Sequence, residues 1–337
     1  MRRSSKIESP GCRWADMARK GKKTPSPTSG TDTVAGTVVR STGSWYRVRV
    51  GTESLDCRMK GNLRIKGIKT TNPVAVGDHV RVQLGDPDNM IVEVMERHNY
   101  VLRKSVNLAR RAHILCANID QAVIVFTLEH PVTTLGYVDR LLVTCEAYHI
   151  PAVIVFNKVD LLDPEMKERL ADYEKTYRGL GYATLSLSAI DPTAADTVRE
   201  LLKDKVSFLV GRSGCGKSTL VNLVEPGLKL KVGQVSDFSG RGTHTTTFAE
   251  MFPLAFGGDI IDSPGFKEMV IFDLEKPLLS HYFPEMKVYV GKCKFANCLH
   301  DREPGCEVKA AVESGSIPES RYHTYLGMLN EIEEPGW

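Results

Sequence analysis

The sequence predicts a multidomain α/β protein, in which a small β-barrel precedes a larger α/β domain and a short helical C-terminal domain. Three patterns predict this order. Between residues 34 and 101, apolar and polar side chains alternate in short runs, as in half-buried strands. Between 119 and 270, continuous apolar runs alternate with amphipathic stretches, as in a parallel sheet covered by helices. From 271 to 337 the chain is polar and helical in character, and cysteine and histidine cluster within it.

The composition is that of a globular protein with two or three domains. The chain has 337 residues, of which 42% are hydrophobic and 25% charged, so sizeable cores can be buried. No apolar run approaches the roughly 20 residues of a membrane-spanning helix, so we expect no membrane partner. No apolar stretch follows the basic N-terminus, which argues against a secretory signal and leaves an organellar transit peptide as the less favoured alternative. Eight cysteines in so long a chain do not form a disulfide scaffold, and a reduced, cytoplasmic location fits best.

Charge is distributed unevenly along the chain. Residues 1–106 contain 20 Lys and Arg against 10 Asp and Glu, a balance of +10, whereas the remainder contains 24 against 31, a balance of −7. A basic front half indicates a polyanionic partner, although basic surfaces are often only solvated. Residues 1–33 are basic, proline-containing and nearly free of aliphatic side chains, so we expect a disordered basic arm.

The segment 34–101 predicts a five-stranded barrel of the OB type. In Tyr46–Val50 the valines fall on one face and the arginines on the other, and the same alternation recurs in Leu63–Lys66 and Val80–Leu84. The solvent faces collect cations and one aromatic side chain: Trp45, Arg47, Arg49, Arg58, Lys60, Arg64 and Lys66. Cations neutralise phosphates and an aromatic ring stacks on bases, so this surface suits irregular or single-stranded RNA. A barrel whose charged edges merely discourage aggregation is the alternative.

The segment 102–270 predicts an α/β domain with a mostly parallel sheet. The predicted strands are Ala122–Thr127, Ala152–Phe156, Ala183–Leu187, Val206–Val210 and Asp259–Ile261. The predicted helices are Tyr137–Tyr148, Pro164–Leu180 and Lys217–Val224.

A phosphate-binding loop lies between the strand Val206–Val210 and the helix that begins at Lys217. Its glycines allow backbone N–H groups to surround phosphates, and the helix N-terminus adds positive potential. Lys217 is expected to reach the β- and γ-phosphates, and the Ser218 hydroxyl to bind Mg²⁺. We expect the loop and the first helical turn to bind nucleotide through Gly211, Arg212, Ser213, Gly214, Cys215, Gly216, Lys217, Ser218 and Thr219.

Two further loops indicate guanine as the base. Asn157, Lys158 and Asp160 form an N-K-x-D pattern directly after a predicted strand. An Asp carboxylate there accepts hydrogen bonds from guanine N1–H and its 2-amino group, which adenine cannot offer. Ser188 and Ala189 close another strand, where a backbone N–H can meet guanine O6. Alone, N-K-x-D is a weak pattern and a polar loop is the alternative, but together with the phosphate loop it favours GTP over ATP.

Two segments have the character of nucleotide switches. Asp262 and Gly265 fit a D-x-x-G loop, in which Asp262 supports Mg²⁺ and the Gly265 N–H senses the γ-phosphate. The glycine-rich segment Ser239–Thr247 offers hydroxyl groups to Mg²⁺ and is expected to become ordered around the γ-phosphate.

The residue that orients the attacking water is not the usual one. Phe266 stands where many GTPases carry a Gln, and it cannot hydrogen-bond water. His244 in the glycine-rich segment is the nearest polar candidate, and contact with a partner is its alternative role. Arg212 and Arg241 are further candidates for stabilising charge, and Lys217 for holding the transferred phosphate.

The motifs occur in rotated order. Ordinary GTPases run from the phosphate loop through both switches to N-K-x-D and the Ser-Ala loop, whereas here the last two come first. Joining the usual ends and cutting after the second switch produces this order, which is a circular permutation. The C-terminal domain is then attached directly to the second switch, so we expect hydrolysis to move it.

A metal site is predicted in the C-terminal domain. Three thiols and one imidazole lie within 14 residues: Cys293, Cys298, His300 and Cys306. Four such ligands suit tetrahedral zinc in a closed structural site, and the metal would stabilise a segment too polar to fold by apolar burial alone. Three incidental cysteines near a surface histidine are the alternative.

The order of these motifs, after a barrel and before C-x4-C-x-H-x5-C, resembles the circularly permuted small ribosomal subunit biogenesis GTPases, the RsgA or YjeQ family. Asn118–Gln121 is also similar to that family. The resemblance covers about 34–315. It implies an OB barrel, a permuted P-loop GTPase domain and a zinc-binding helical domain, with predicted boundaries at 1–33, 34–101, 102–270 and 271–337.

The resemblance also implies a function. It implies binding to the small ribosomal subunit and its rRNA, with GTP hydrolysis stimulated by that particle late in assembly. By position, it assigns catalysis to His244, and we choose Thr246 as the switch hydroxyl that binds Mg²⁺. We expect a monomer that binds GTP and GDP. The alternatives are a GTP-dependent switch on another RNA, a P-loop kinase, and a passive RNA-binding protein with a vestigial GTPase domain.

Overall fold

A computed structural model describes residues 33–61, 73–104, 112–228, 249–262 and 274–332. These residues form two compact units. The first unit contains the described residues of 33–133 and 150–262, and the second contains those of 134–149 and 274–332. The predicted domain boundaries stay predictions.

Five strands form a closed barrel in the first unit: β1 (Thr33–Ser41), β2 (Tyr46–Val50), β3 (Glu53–Met59), β4 (His79–Gln83) and β5 (Asn89–Val94). They pair in the order β1-β2-β3-β5-β4, and β4 pairs again with β1. Val48, Val80 and Val82 are fully buried inside, as the period-two pattern predicted, and so are Val38 and Ile91, whereas Leu84 at the end of a predicted run is 44% exposed. The five-stranded barrel is therefore confirmed. The predicted run Leu63–Lys66 lies outside the described residues.

The second half of the first unit is an α/β layer. Its strands are β6 (Tyr100–Lys104), β7 (Ala112–Ala117), β8 (Gln121–Phe126), β9 (Ala152–Phe156), β10 (Ala183–Ser186), β11 (Val206–Val210), β12 (Glu250–Pro253) and β13 (Asp259–Asp262). The sheet order is β10-β9-β8-β11-β13-β12, parallel except for β12, and β6 pairs with β7 separately. The predicted parallel sheet is confirmed, with strand ends shifted by at most one residue.

Seven α-helices are found in the described part of the chain: α1 (Leu135–Ala147), α2 (Pro164–Gly179), α3 (Ala195–Leu202), α4 (Lys217–Val224), α5 (Pro284–Lys287), α6 (Glu307–Glu313) and α7 (Glu319–Glu331). Short 3-10 helices occur at Val159–Leu161, Pro192–Ala194, Pro226–Leu228 and Lys276–Tyr282. Among the described helices, none combines the length and apolar character needed to cross a membrane.

The barrel and the α/β layer share one continuous sheet of 11 strands. β1 pairs with β12, where Arg40 lies opposite Glu250. The Arg49 guanidinium binds the Asp259 carboxylate through two hydrogen bonds, Nη1 to Oδ1 at 2.5 Å and Nη2 to Oδ2 at 2.7 Å. Arg49 was expected on a solvent face of the barrel, but it is bound to the first residue of β13 because the barrel packs beside that strand.

The second unit combines helix α1 with the C-terminal helices. Val143 and Ala147 of α1 pack in one core with Phe283, Tyr325 and other residues of 274–332. Arg321, only 1% exposed, donates to Asp139 of α1 at 3.0 Å and to Glu285 at 2.6 Å. These contacts make α1 an integral part of this unit.

Candidate functional site

The predicted nucleotide loops meet at one edge of the sheet. β9, β10, β11 and β13 are parallel, so their carboxyl ends lie on the same side. The chain runs outward from β8 to β9 and β10, and then returns to place β11 on the other side of β8. Ligands of open α/β sheets bind at such a reversal, outside the carboxyl ends of the strands.

The loop between β11 and α4 has the shape that a phosphate cradle requires. Gly211 has a φ of 151°, and a Cβ atom there would lie 2.3 Å from the carbonyl oxygen of Val125. Gly216 has a φ of 99°, and its Cβ would lie 2.2 Å from Asn157 Nδ2. Any side chain at either glycine would collide with its neighbour, so both glycines are needed for the loop to lie close to the strands.

Lys217 and Ser218 begin helix α4 directly after this loop. Lys217 Nζ donates to the carbonyl oxygens of Gly211 at 2.8 Å and Arg212 at 3.0 Å, which holds the ammonium group over the loop. Ser218 and Thr219 are half-buried in the first turn, whereas Cys215 is fully buried. Burial raises the pKa of the Cys215 thiol, so it stays neutral beneath the cradle. The backbone and the cation therefore fit a bound phosphate chain.

Asn157 connects three of the predicted loops. Its side chain is 3% exposed; Nδ2 donates to the Cys215 carbonyl at 2.9 Å, and Oδ1 accepts from the Ala189 backbone N–H at 2.9 Å. Sequence reasoning placed Asn157 in the nucleotide site through its motif alone. The structure adds that its amide joins the phosphate loop to the Ser188–Ala189 loop.

Lys158 and Asp160 lie on the outer side of the same loop. Lys158 has a left-handed backbone, with a φ of 64°, and its Nζ donates to the carbonyl oxygen of His130. Asp160 lies in the 3-10 helix Val159–Leu161 and is exposed, so its carboxylate is accessible to a ligand. Ser188 and Ala189 follow β10 and are buried, and the Val159 backbone N–H donates to the Leu187 carbonyl at 3.4 Å, which joins the two loops.

Sequence reasoning missed one loop at this edge, residues 127–133, which we call the strap. Arg212 Nη1 donates to the Val132 carbonyl at 2.9 Å, so the guanidinium considered for charge stabilisation is directed at the strap. A signal for the strap was present, since it directly follows the buried strand β8 and must emerge at the same edge as the other loops.

Several predicted site residues lie outside the described residues: Gly265, Phe266, Arg241, His244 and Thr246. Asp262 is described as the last residue of β13, which brings its backbone to the same edge as the phosphate loop. The roles of these residues stay predictions.

The predicted metal ligands cluster in the second unit. One donor atom from each of Cys293, Cys298, His300 and Cys306 lies within 4.8 Å of all the others. Cys293 Sγ is 3.9 Å from Cys306 Sγ, and both are 3.5 Å from His300 Nδ1. Ligands bound tetrahedrally to zinc through 2.3 Å bonds have sulfur atoms about 3.8 Å apart. The donor set and its spacing therefore fit a closed tetrahedral ion.

Protonation in this cluster also fits a metal. Burial lowers the pKa of His300, which favours the neutral imidazole that binds metals. Partial burial raises the pKa of the Cys298 thiol to about 12. Binding of a metal ion at this thiol therefore releases the proton.

Helix α7 positions the metal-binding loop through two tyrosines. Tyr322 Oη donates to the His300 carbonyl at 2.7 Å, and Tyr325 Oη donates to the Leu299 carbonyl at 2.6 Å. Glu303 accepts from the Leu299 and Asp301 backbone N–H groups at 2.7 and 3.0 Å. These bonds hold the backbone between the second and last cysteine in a fixed curve.

Two family models match the chain. One, described as RsgA GTPase, matches residues 94–272, and the other, described as RsgA N-terminal domain, matches residues 35–92. A protein of Bacteroides fragilis named small ribosomal subunit biogenesis GTPase RsgA is 45% identical over 301 residues, covering 89% of this chain and 97% of that protein. One of Flavobacterium johnsoniae with the same name is 46% identical over 306 residues, covering 89% and 94%.

Two solved structures have the same fold. YjeQ from Thermotoga maritima superposes with a TM-score of 0.73 at 33% identity, covering 89% of this chain and 98% of that chain. YloQ, described as a circularly permuted GTPase, has a TM-score of 0.70 at 30% identity, covering 91% and 98%.

The rotated motif order, the strand order and these matches agree with one another. The barrel of β1–β5 falls within the N-terminal match except at its outermost residues, and the nucleotide loops fall within the GTPase match. The chain therefore belongs to the RsgA family of circularly permuted GTPases.

Proposed function

We propose that the chain hydrolyses GTP during maturation of the small ribosomal subunit. The observation that carries the nucleotide half of this proposal is the meeting of the phosphate loop, the N-K-x-D loop and the Ser-Ala loop through the amide of Asn157. The ribosomal half is supported by relatives named small ribosomal subunit biogenesis GTPase, which are 45% and 46% identical along most of the chain.

We propose the following division of labour at the site. Asp160 recognises the guanine base, because it is exposed and the neighbouring residue Val159 is bonded to Leu187, directly before the Ser188–Ala189 loop. Lys217 and the glycine-rich loop hold the phosphates, while Ser218, Thr246 and Asp262 hold the Mg²⁺ that comes with GTP. That ion neutralises charge on the β- and γ-phosphates. His244 orients the attacking water, since an imidazole can accept a hydrogen bond near neutral pH.

The metal cluster has a structural role in this proposal. Cys293, Cys298, His300 and Cys306 supply four protein ligands, which leaves no open position for a substrate. Zinc is the ion that such a set of three thiolates and one imidazole selects.

The barrel offers a surface for rRNA. The Arg58 guanidinium stacks on Trp45 with its central carbon 4.5 Å from the ring centroid, and Trp45 is 39% exposed. Arg47 is exposed on the neighbouring strand, although it is bound to Asp56 at 3.0 Å. An exposed ring beside cations suits base stacking and phosphate contact. We propose that the chain acts on the particle as a cytoplasmic monomer without a membrane partner.

The test is GTP hydrolysis by the purified protein with and without small ribosomal subunits. We expect slow hydrolysis alone and strong stimulation by the particle. The His244→Ala variant is expected to lose the stimulation and to keep GTP binding, because the histidine acts on water and not on the nucleotide. His323→Ala, an exposed histidine of α7, is the control and is expected to behave as the wild type.

Each outcome has a distinct meaning. Stimulation that survives in His244→Ala refutes the catalytic histidine and leaves the ribosomal role intact. Subunits that bind without changing the rate support the alternative, a GTP-dependent switch whose trigger is another RNA or ribonucleoprotein. Absence of GTP binding by the wild type refutes the proposed function.

A further inference from the structure

The strap, residues 127–133, is bound to both halves of the nucleotide site. Lys158 of the guanine loop donates to the His130 carbonyl. Arg212 of the phosphate loop donates to the Val132 carbonyl at 2.9 Å. Two strap carbonyl groups, two residues apart, therefore accept hydrogen bonds from cations of two different candidate nucleotide-binding loops. Such charge-assisted bonds are stronger than neutral ones.

Hydrogen bonds within the strap also close it into a turn. The Thr127 hydroxyl, which is fully buried, donates to the Pro131 carbonyl at 2.7 Å, and the Thr133 backbone N–H donates to the Thr127 carbonyl at 3.2 Å. Pro131 also covers the phosphate loop, since its Cδ is 3.6 Å from the position of a Cβ on Gly214. The strap is thus a closed turn that lies against the phosphate loop.

The opposite side of the strap is loosely packed. A cleft of about 150 Å³ lies between the strap and helix α2 and is lined by Val132 and Thr133 on one side and Met166, Arg169 and Tyr173 on the other. Val132 is 64% exposed. The position of the strap therefore depends strongly on its hydrogen bonds with Lys158 and Arg212 and on the bond from the Thr127 hydroxyl to the Pro131 carbonyl.

From these contacts we infer that the strap is a third wall of the nucleotide site, and that it controls how fast the nucleotide dissociates. Arg212 is a positioning residue that acts through the strap and not on the phosphates. This inference rests on the proposed function, because it assumes that guanine nucleotide binds between the loops that the strap joins. A strap held by both loops keeps the base-binding and phosphate-binding halves together, and releasing one contact lets them separate.

The test is the dissociation rate of a fluorescent GDP analogue in the presence of Mg²⁺, with the full-length protein. The analogue is expected to dissociate from Arg212→Ala about three- to tenfold faster than from the wild type, because the variant lacks one exposed charge-assisted hydrogen bond. Arg212→Lys is expected to have a dissociation rate close to that of the wild type, because an ammonium group can still donate to one carbonyl. Arg199→Ala removes a surface arginine of α3 and is expected to behave as the wild type.

A double-mutant cycle distinguishes an effect of Arg212 through the strap from a direct effect of Arg212 on the phosphates. Thr127→Val removes the hydroxyl that closes the strap and keeps the side-chain volume, and it is also expected to speed dissociation. If both residues act through the strap, Arg212→Ala has a smaller effect in the Thr127→Val background than in the wild type. Effects that simply multiply overturn the inference, as does an unchanged dissociation rate in Arg212→Ala.

A third result would also contradict the inference that Arg212 acts through the strap. If Arg212→Ala slows single-turnover hydrolysis and leaves GDP dissociation unchanged, the guanidinium acts on the phosphates. Failure of the wild type to bind the GDP analogue refutes the proposed function itself, so the two failures can be told apart.

Discussion

At the scale of single residues, Asn157 joins the loops of the candidate nucleotide site. Its amide satisfies a buried carbonyl of the phosphate loop and a buried N–H of the Ser188–Ala189 loop at the same time. An amide can do this because it carries a donor and an acceptor on one carbon. The backbone of Gly216 lies directly against that amide, so the loop cannot shift without breaking these bonds.

Replacing Asn157 by Ala is expected to lower GDP affinity at least about tenfold. The variant leaves the Cys215 carbonyl and the Ala189 N–H without their partner, and each unsatisfied buried group costs about 1–3 kcal/mol. Titration with a fluorescent GDP analogue measures the change, and circular dichroism reports whether the fold persists. Asn89→Ala, a change on a barrel strand, is the control. Wild-type affinity in Asn157→Ala contradicts the bridging role.

The meeting of the candidate loops could be predicted from the sequence to the extent that their motifs are local. The phosphate loop and the N-K-x-D loop each follow an apolar run, and the carboxyl ends of parallel strands share one edge, so their meeting could be expected. The partner of Arg49 could not be predicted, because Asp259 is 210 residues away and an alternating strand pattern says only that Arg49 faces outward. Likewise, nothing local marks Arg212 as a ligand of the Val132 carbonyl.

At the scale of elements, the hairpin of β12 and β13 joins the barrel to the nucleotide site. β12 pairs with barrel strand β1, and β13 begins at Asp259, the partner of Arg49, and ends at Asp262. One strand therefore binds the barrel at its first residue and reaches the edge of the nucleotide site at its last. The barrel and the phosphate-binding sheet should consequently unfold together.

Arg49→Met is expected to lower the free energy of unfolding by about 1–3 kcal/mol, because it leaves the largely buried Asp259 carboxylate without its bidentate partner. The side chains of Arg49 and Asp259 are 29% and 12% exposed, so solvent screens the pair only partly. Urea unfolding measures the loss, followed by circular dichroism and by fluorescence of Trp45 in the barrel, with Trp14 and Trp337 replaced by Phe in every variant.

Arg47→Met is the matched control two residues away on β2. Its pair with Asp56 is exposed on both sides, and such pairs contribute little. Equal losses for the two variants would contradict a special role for the Arg49–Asp259 pair. Separate barrel and sheet transitions in Arg49→Met would support it.

At the scale of the whole molecule, the chain contributes two separate segments to the unit that carries the metal cluster. Residues 134–149 and 274–332 share one core, and Arg321 binds Asp139 and Glu285 while stacking on the Phe283 ring at 4.7 Å. The amphipathic pattern of α1 predicted a buried face but not the partner of that face, since a helical period carries no information about which core receives it.

Removal of the metal is expected to unfold the metal-binding loop, residues 293–306, and to leave the first unit folded. Without an ion, the three thiols and the imidazole no longer hold the loop that Tyr322 and Tyr325 bind, and Cys306 is the one buried apolar side chain within 293–306. Hydrogen exchange before and after treatment with a strong chelator locates the loss, and metal analysis gives the stoichiometry. Cys298→Ser is expected to reproduce the effect, whereas Cys145→Ser leaves the metal in place. Unchanged protection in 274–332 after metal removal contradicts this role.

The place of α1 in the second unit limits how the protein can be divided. A shortened chain that stops before residue 271 keeps α1 but loses its packing partners, so Val143 and Ala147 become an uncovered apolar face and Asp139 loses its cation. The isolated segment 274–332 has the opposite defect, a buried guanidinium at Arg321 that lacks one of its carboxylates. A fragment that preserves the native packing of the second unit must therefore contain α1 joined to residues 274–332.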